Sequence, residues 1–180
     1  MTDADPFEAF VRRYQDMVFA TAVRLLGSRV EAEDVAQTVF LRAFQRFEQI
    51  GASPSAAGWL KTVTRNACLN HLSRYRTRWR LFSELARPGG DSPRTTDEVA
   101  FVAADSPAAD LELADRREHL TRALQRLPDH QRVPLVLFHF EEMSYQEIAT
   151  ALGVSVGKVK TDIHRGREAL RALLSDHASR

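Results

Sequence analysis

A single cysteine, Cys68, stands in the 180-residue sequence, which excludes a disulfide framework and a cysteine-built zinc cluster and suits a reducing cytoplasm. It reads as a small buried apolar residue. No apolar run approaches the roughly 20 residues of a membrane span, and the acidic opening MTDADPFEAF lacks the pattern of a secretory leader. A cytoplasmic protein without a membrane segment is expected. The 6 histidines are scattered, and no H-E-x-x-H, Gly-rich phosphate loop or nucleophile motif is present. Neither a catalytic centre nor a metal site nor a cofactor is therefore expected. Strand signals and internal repeats are also missing, which leaves an all-helical chain.

The net charge of +1 conceals an uneven distribution. Residues 1–80 carry 12 Lys/Arg against 8 Asp/Glu, residues 81–115 carry 2 against 8, and residues 116–180 carry 11 against 8. Two basic ends flank an acidic middle. Periodicity is lost in that middle, where ARPGGDSPRTTDEV and AADSPAAD are rich in residues that punctuate helices and bury little. The division expected is a helical domain over 1–80, a flexible acidic linker over 81–110 and a second helical domain over 111–180.

The most informative stretch is SYQEIATALGVSVGKVKTDIHRGREALRALL, residues 144–174. Ser144 and Glu147 have capping-box spacing, and Met143 and Ile148 can form a hydrophobic staple, so a helix starts at Tyr145. Ala149 permits a close helix crossing, Gly153 supplies a left-handed stop, and Ser155 caps the next helix. The turn between them is about three residues, as in a helix-turn-helix. On the second helix Val159, Ile163, Leu170 and Leu174 form an apolar face, while Lys158, Lys160, Thr161, His164, Arg165 and Arg167 occupy the remainder with few acids among them. One face packs and the other suits a DNA groove. An amphipathic hairpin with a solvated basic face is the plainer alternative.

Upstream, Asp5-Pro6 starts a helix that Gly27 closes. Ser28 and Glu31 have capping-box spacing for a second, running to about Phe47. Its apolar residues wrap more than one face, so cover is expected from its own domain and from a partner. Gln49 to Ser55 reads as a loop, followed by a helix from about Ala56 to near Arg80. From Lys61 to Arg80 there are six basic residues and no acid, interleaved with Asn66, Asn70, His71, Tyr75 and Trp79 just after Trp59. Cations track phosphates, amides read base edges and aromatic rings stack on unpaired bases, so this mixture suits partly single-stranded DNA. Trp59 itself reads more readily as a core residue. After the linker, helices are expected from about Asp110 to Arg126 and after an Asp129 cap, with Pro134 just past the first turn of the latter.

The segments AEDVAQTVFLRAFQRF, GWLKTVTRNACLNHLSRYR and LPDHQRVPLVLFHFEEMSYQEIATALGVSVGKVKTDIHRGREAL occur in that order. They resemble a bacterial RNA polymerase sigma factor of the extracytoplasmic-function (ECF) type in the sigma-70 family. The resemblance implies two small helical domains, a three-helix-type domain two and a helix-turn-helix domain four. It implies that Asp34, Gln37, Leu41, Arg42 and Phe44 bind core RNA polymerase at the clamp helices of its largest subunit, with domain four at the flap. Leu41 and Phe44 packing within their own domain is the alternative. It implies that Lys61, Arg65, Asn66, Asn70, Arg74 and Arg76, with the Gln49–Ser55 loop, open the promoter and hold single-stranded minus-ten DNA. It further implies that Ser155, Lys158, Lys160, Thr161, His164, Arg165 and Arg167 lie on duplex minus-thirty-five DNA, with Lys158, Thr161, His164 and Arg165 as base readers. Many relatives carry Asp where this chain has Asn70 and Thr where it has Lys158, the latter implying a shifted minus-thirty-five sequence. An anti-sigma factor is a further partner of the type, although nothing in the sequence names one. The acidic linker would be drawn to the positively charged RNA exit channel.

A stand-alone helix-turn-helix regulator accounts for residues 144–174 but leaves the basic helix and the AEDVAQ segment without a role. A protein-interaction adaptor leaves both basic surfaces unused, and an enzyme lacks a motif.

Overall fold

The computed structural model describes residues 5–75 and 107–178. Arg76, Trp79 and the expected acidic linker up to residue 106 lie outside the described residues. The first half comprises α1 (Pro6–Leu26), α2 (Arg29–Gln45), the one-turn α3 (Phe47–Ile50) and α4 (Ala56–His71), which runs into a 3-10 turn at Leu72–Tyr75. The second comprises α5 (Pro107–Gln125), α6 (Asp129–His139), α7 (Tyr145–Leu152) and α8 (Val156–Ala178). No strand occurs among the described residues.

Local chemistry sets most of the helix ends. Asp5 Oδ1 accepts a hydrogen bond from the Phe7 amide at 3.0 Å, capping α1 just ahead of Pro6. At the other end Gly27 has φ +71°, a left-handed backbone that closes the helix through a bond from its amide to the Val23 carbonyl. Ser28 Oγ accepts from the Glu31 amide at 3.4 Å, while the Glu31 carboxylate stands 3.7 Å from His71 on α4. That helix start is therefore capped on one side, and its glutamate is directed across the bundle.

Four boundaries differ from expectation. α2 ends at Gln45, because Arg46 leaves helical geometry and turns Phe47 toward Phe7 and Phe10, with ring centroids at 5.2 and 5.5 Å. Gln49 and Ile50 consequently lie in α3, and Ile50 is buried in the core rather than part of a loop. α4 stops at His71, where the buried Leu72 tightens the chain into its 3-10 turn. α5 begins at Pro107, earlier than Asp110, and α6 is preceded by Pro128 rather than capped by Asp129, whose carboxylate receives Arg132 instead.

α1 packs on α2 and α4, and α2 packs on α4, giving the three-helix arrangement expected of the first half. Val18 and Leu25 of α1, Val39 of α2 and Leu60 and Cys68 of α4 are fully withdrawn from water. Each large apolar side chain so buried contributes about 1.5–3 kcal/mol. Burial pushes the Cys68 thiol up to about 12, so it remains a neutral packing residue. In the second half α8 packs on α5, α6 and α7 through Val159 and Ile163. α1 also packs on α5 and α6, so one apolar core is shared by both halves.

Candidate polymerase and nucleic-acid interfaces

On α2 the inward positions Ala32, Val35, Val39 and Ala43 are buried against α1 and α4. Asp34, Gln37, Leu41 and Phe44 recur at helical spacing on the outer side, with Arg42 on its flank, and all five are exposed. Leu41 is 65% and Phe44 61% exposed, so neither is a core residue of its own domain. They border a groove between α1 and α2 lined also by Phe7, Val11, Phe19 and Phe40. The sequence reading missed these four groove residues. Their signal was the excess of aromatic residues on α1 and α2, more than one inward face accommodates. Large apolar side chains this exposed raise the free energy of the isolated surface and are covered favourably by a partner.

α4 holds Lys61 and Arg65 one turn apart on one strip, and Asn66 and Asn70 one turn apart on another. Lys61, Asn66 and Asn70 are exposed and Arg65 is half-buried. The helix therefore offers cations and amides to different directions. Arg74 belongs to the 3-10 turn, and Trp59 is partly buried against the core.

The helix-turn-helix matches its sequence signals in detail. Ser144 Oγ accepts from the Glu147 amide at 3.2 Å, and the Glu147 carboxylate accepts from the Ser144 amide at 2.8 Å, completing the capping box. These bonds hold the Glu147 carboxyl below its ordinary range. Gly153 closes α7 at φ +67°, and Ser155 Oγ accepts from the Lys158 amide at 3.2 Å. Gly166 lets α8 approach α6 closely, since an added Cβ would lie 3.2 Å from the Gln131 carbonyl oxygen.

The recognition-helix candidates fall into two groups. Ser155, Lys160, His164 and Arg165 are exposed, whereas Lys158, Thr161 and Arg167 are partly withdrawn. Lys158 Nζ donates to Asp162 Oδ2 at 2.8 Å, and Asp162 is only 6% exposed. Arg167 Nε donates to His139 Nε2 at 3.0 Å, with its guanidinium over the Phe138 ring. Burial, and then the Arg167 charge, hold His139 below its ordinary value, which keeps its ring nitrogen available as an acceptor. Thr161 Oγ1 donates back to the Gly157 carbonyl at 3.0 Å. His164 Nε2 stands 3.5 Å from Glu168. Among the described residues no group of three or more His, Cys, Asp or Glu could hold a metal ion.

This arrangement coincides with two family models: sigma-70 region 2 matches residues 10–78, and sigma-70 region 4 matches residues 117–170. The ECF RNA polymerase sigma factor SigW of Bacillus subtilis (strain 168) is 32% identical, over 97% of this chain and 91% of its own length. The chain belongs to the ECF family of RNA polymerase sigma factors. The ECF sigma factor SigE of Mycolicibacterium smegmatis is 34% identical over 96% of this chain, which spans 63% of that longer protein. Among solved structures, the sigma factor RpoE of Bartonella quintana, determined with the anti-sigma factor NepR, aligns over 94% of this chain and 96% of that one. The identity there is 22% and the TM-score 0.48. For this sigma factor, the two region models in one chain favour an initiation subunit over a stand-alone helix-turn-helix regulator. No helix among the described residues is long and apolar enough to cross a membrane.

Proposed function

We propose that this sigma factor binds core RNA polymerase through the exposed face of α2, carries it to specific promoters and assists in melting them. The observation that carries the reading is the pair of exposed apolar side chains, Leu41 and Phe44, on a helix whose opposite side is fully packed. Asp34, Gln37 and Arg42 surround them with polar groups that fix register, the usual division between an interface core and its rim. The clamp helices of the largest subunit are the assigned partner, with the second half seated at the flap. A 1–80 domain and a 111–180 domain, joined by the acidic tether, engage the two promoter elements.

At minus ten, Lys61, Arg65, Arg74 and Arg76 track the backbone while Asn66 and Asn70 contact an extruded base. Extrusion costs a few kcal/mol, which these contacts offset. At minus thirty-five, Arg165, His164 and Thr161 reach base edges, and Lys160 and Ser155 position the phosphates. Arg167, held by His139, sets the approach of the helix, and base reading by Lys158 requires its pair with Asp162 to open. Catalysis belongs to the polymerase, and the protein acts in the cytoplasm, at the nucleoid when in holoenzyme. An anti-sigma factor is the regulator expected for the surfaces left open.

Run-off transcription on genomic DNA with purified core polymerase tests the reading, together with gel shifts with and without polymerase. Specific starts should appear only with both components. Lys160→Ala and Arg165→Ala should each flatten the salt dependence of promoter binding by about one phosphate, a slope change of about 0.9 in log K against log salt. Strong specific binding by the free chain, or no association with core enzyme, would overturn it.

A further inference from the structure

One ion pair on the recognition helix runs against the chemistry of helices. Lys158 is the third residue of α8, and its Nζ donates to Asp162 Oδ2, one turn later, at 2.8 Å. A cation in the first turn opposes the helix dipole, and no acid stands in that turn to offset it. A lysine four residues ahead of an acid is also the weaker of the two orders for a helical ion pair. Helix stability therefore does not account for a lysine at this position. The pair is nonetheless held tightly: the two side chains are 14% and 8% exposed, so solvent screens their attraction little.

Helical geometry shows what the pair withholds. At about 100° per residue, positions 158 and 165 lie within about 20° of each other around the axis, whereas 162 is turned about 40° to the other side. That other side leads to Gly166, where an added Cβ would lie 3.2 Å from the Gln131 carbonyl oxygen of α6. Arg165 is exposed, so a free side chain at 158 would share its outward direction, and the buried carboxylate of Asp162 draws the ammonium aside. The N-terminal residues of a recognition helix are those that reach base edges, and an ammonium there matches the O6 and N7 acceptors of guanine. Making that contact would take the ammonium from a buried carboxylate, a loss greater than the return from one base contact. We propose, on the minus-thirty-five role assigned above to α8, that Asp162 is a specificity-determining residue acting through Lys158. It keeps the lysine off the DNA, so the base pair facing residue 158 is read only when the ion pair is broken.

The test is the base preference of holoenzyme, reconstituted from core polymerase and the full chain, at each position of a randomised minus-thirty-five element in a promoter located by run-off transcription. Asp162→Asn removes the carboxylate charge at nearly constant volume. It should add a guanine preference of about tenfold at one position, the scale of a single lysine–guanine contact. That preference should disappear in Asp162→Asn/Lys158→Met, which keeps the altered residue 162 and removes the ammonium. Asp162→Ser, whose hydroxyl can bond back to its own helix, serves if the asparagine variant fails to fold. A gain of less than about threefold in folded variants, or one that survives Lys158→Met, would overturn the role of Asp162. So would affinity that rises equally for every sequence with a salt slope steeper by about 0.9, since the lysine would then have gone to a phosphate. A guanine preference already present in the wild type and lost in Lys158→Met would also sink it, because the lysine would be reading while paired. Each of these results leaves the proposed function standing. Holoenzyme with no base preference anywhere in the minus-thirty-five element, in wild type and Asp162→Asn alike, would overturn both.

Discussion

The exposed face of α2 gives the sharpest separation of binding from folding, through the double variant Leu41→Ala/Phe44→Ala. Fully burying a Leu or Phe side chain is worth about 1.5–3 kcal/mol, and at 65% and 61% exposure roughly two-thirds of that remains to be gained from a partner. Each truncation should therefore cost about 1–2 kcal/mol of binding, and the pair about 2–4 kcal/mol. At about 1.4 kcal/mol per decade, affinity for core polymerase should fall about 30- to 700-fold. The fold should lose far less, because only the inner third of each side chain is packed. The principal loss there is the edge-on contact of Phe44 with Phe7, centroids 5.0 Å apart, worth about 0.5–1.5 kcal/mol. A fluorescence anisotropy titration against core polymerase measures the first quantity and urea unfolding the second. Binding weakened less than about threefold, or a stability loss equal to the binding loss, would refute the assignment of this face.

Three further predictions concern the fold. Gly27→Ala places a Cβ on a left-handed backbone and against the Arg132 guanidinium, so it should cost about 2 kcal/mol or more in urea unfolding; the Arg132→Met background should relieve only the clash and leave about 1–2 kcal/mol of backbone strain. Ser144→Ala should cost about 1 kcal/mol by opening the capping box. Glu147 adds a pH dependence: its folded pKa lies below the ordinary 4.5, so its stabilising effect is full above that value and is lost as pH falls through the folded one. The stability gap between wild type and Glu147→Gln should accordingly close on acidification, and a gap that widens would show the cap to be mis-assigned.

What was legible in the sequence was what neighbouring residues decide. Asp5-Pro6, Gly27, Ser144 with Glu147, Gly153 and Ser155 act within a few positions, and each stands where its chemistry placed it. The surplus of apolar faces on α2 was likewise legible, and Leu41 and Phe44 are exposed parts of it. Features set by distant contacts were not legible. The break at Arg46 depends on Phe47 finding Phe7 and Phe10, and the early end of α4 depends on Leu72 reaching the core. Nothing near Arg132 in the sequence marks it for burial, because its Leu25 and Leu26 carbonyl partners lie more than 100 positions away. Asp162 was a closer miss, since its spacing of four from Lys158 is that of a helical ion pair.

That last pair ties two positions of the recognition helix into a single heritable unit. A lysine at 158 is tolerated beside a buried carboxylate, but a neutral residue there would deprive Asp162 of the ammonium that pairs with it, and a neutral 162 would release the lysine to the solvent. Under the base-reading role proposed for Lys158, descendants of this protein that change one of the two should change the other soon after, so their target sequences should shift in jumps rather than by degrees.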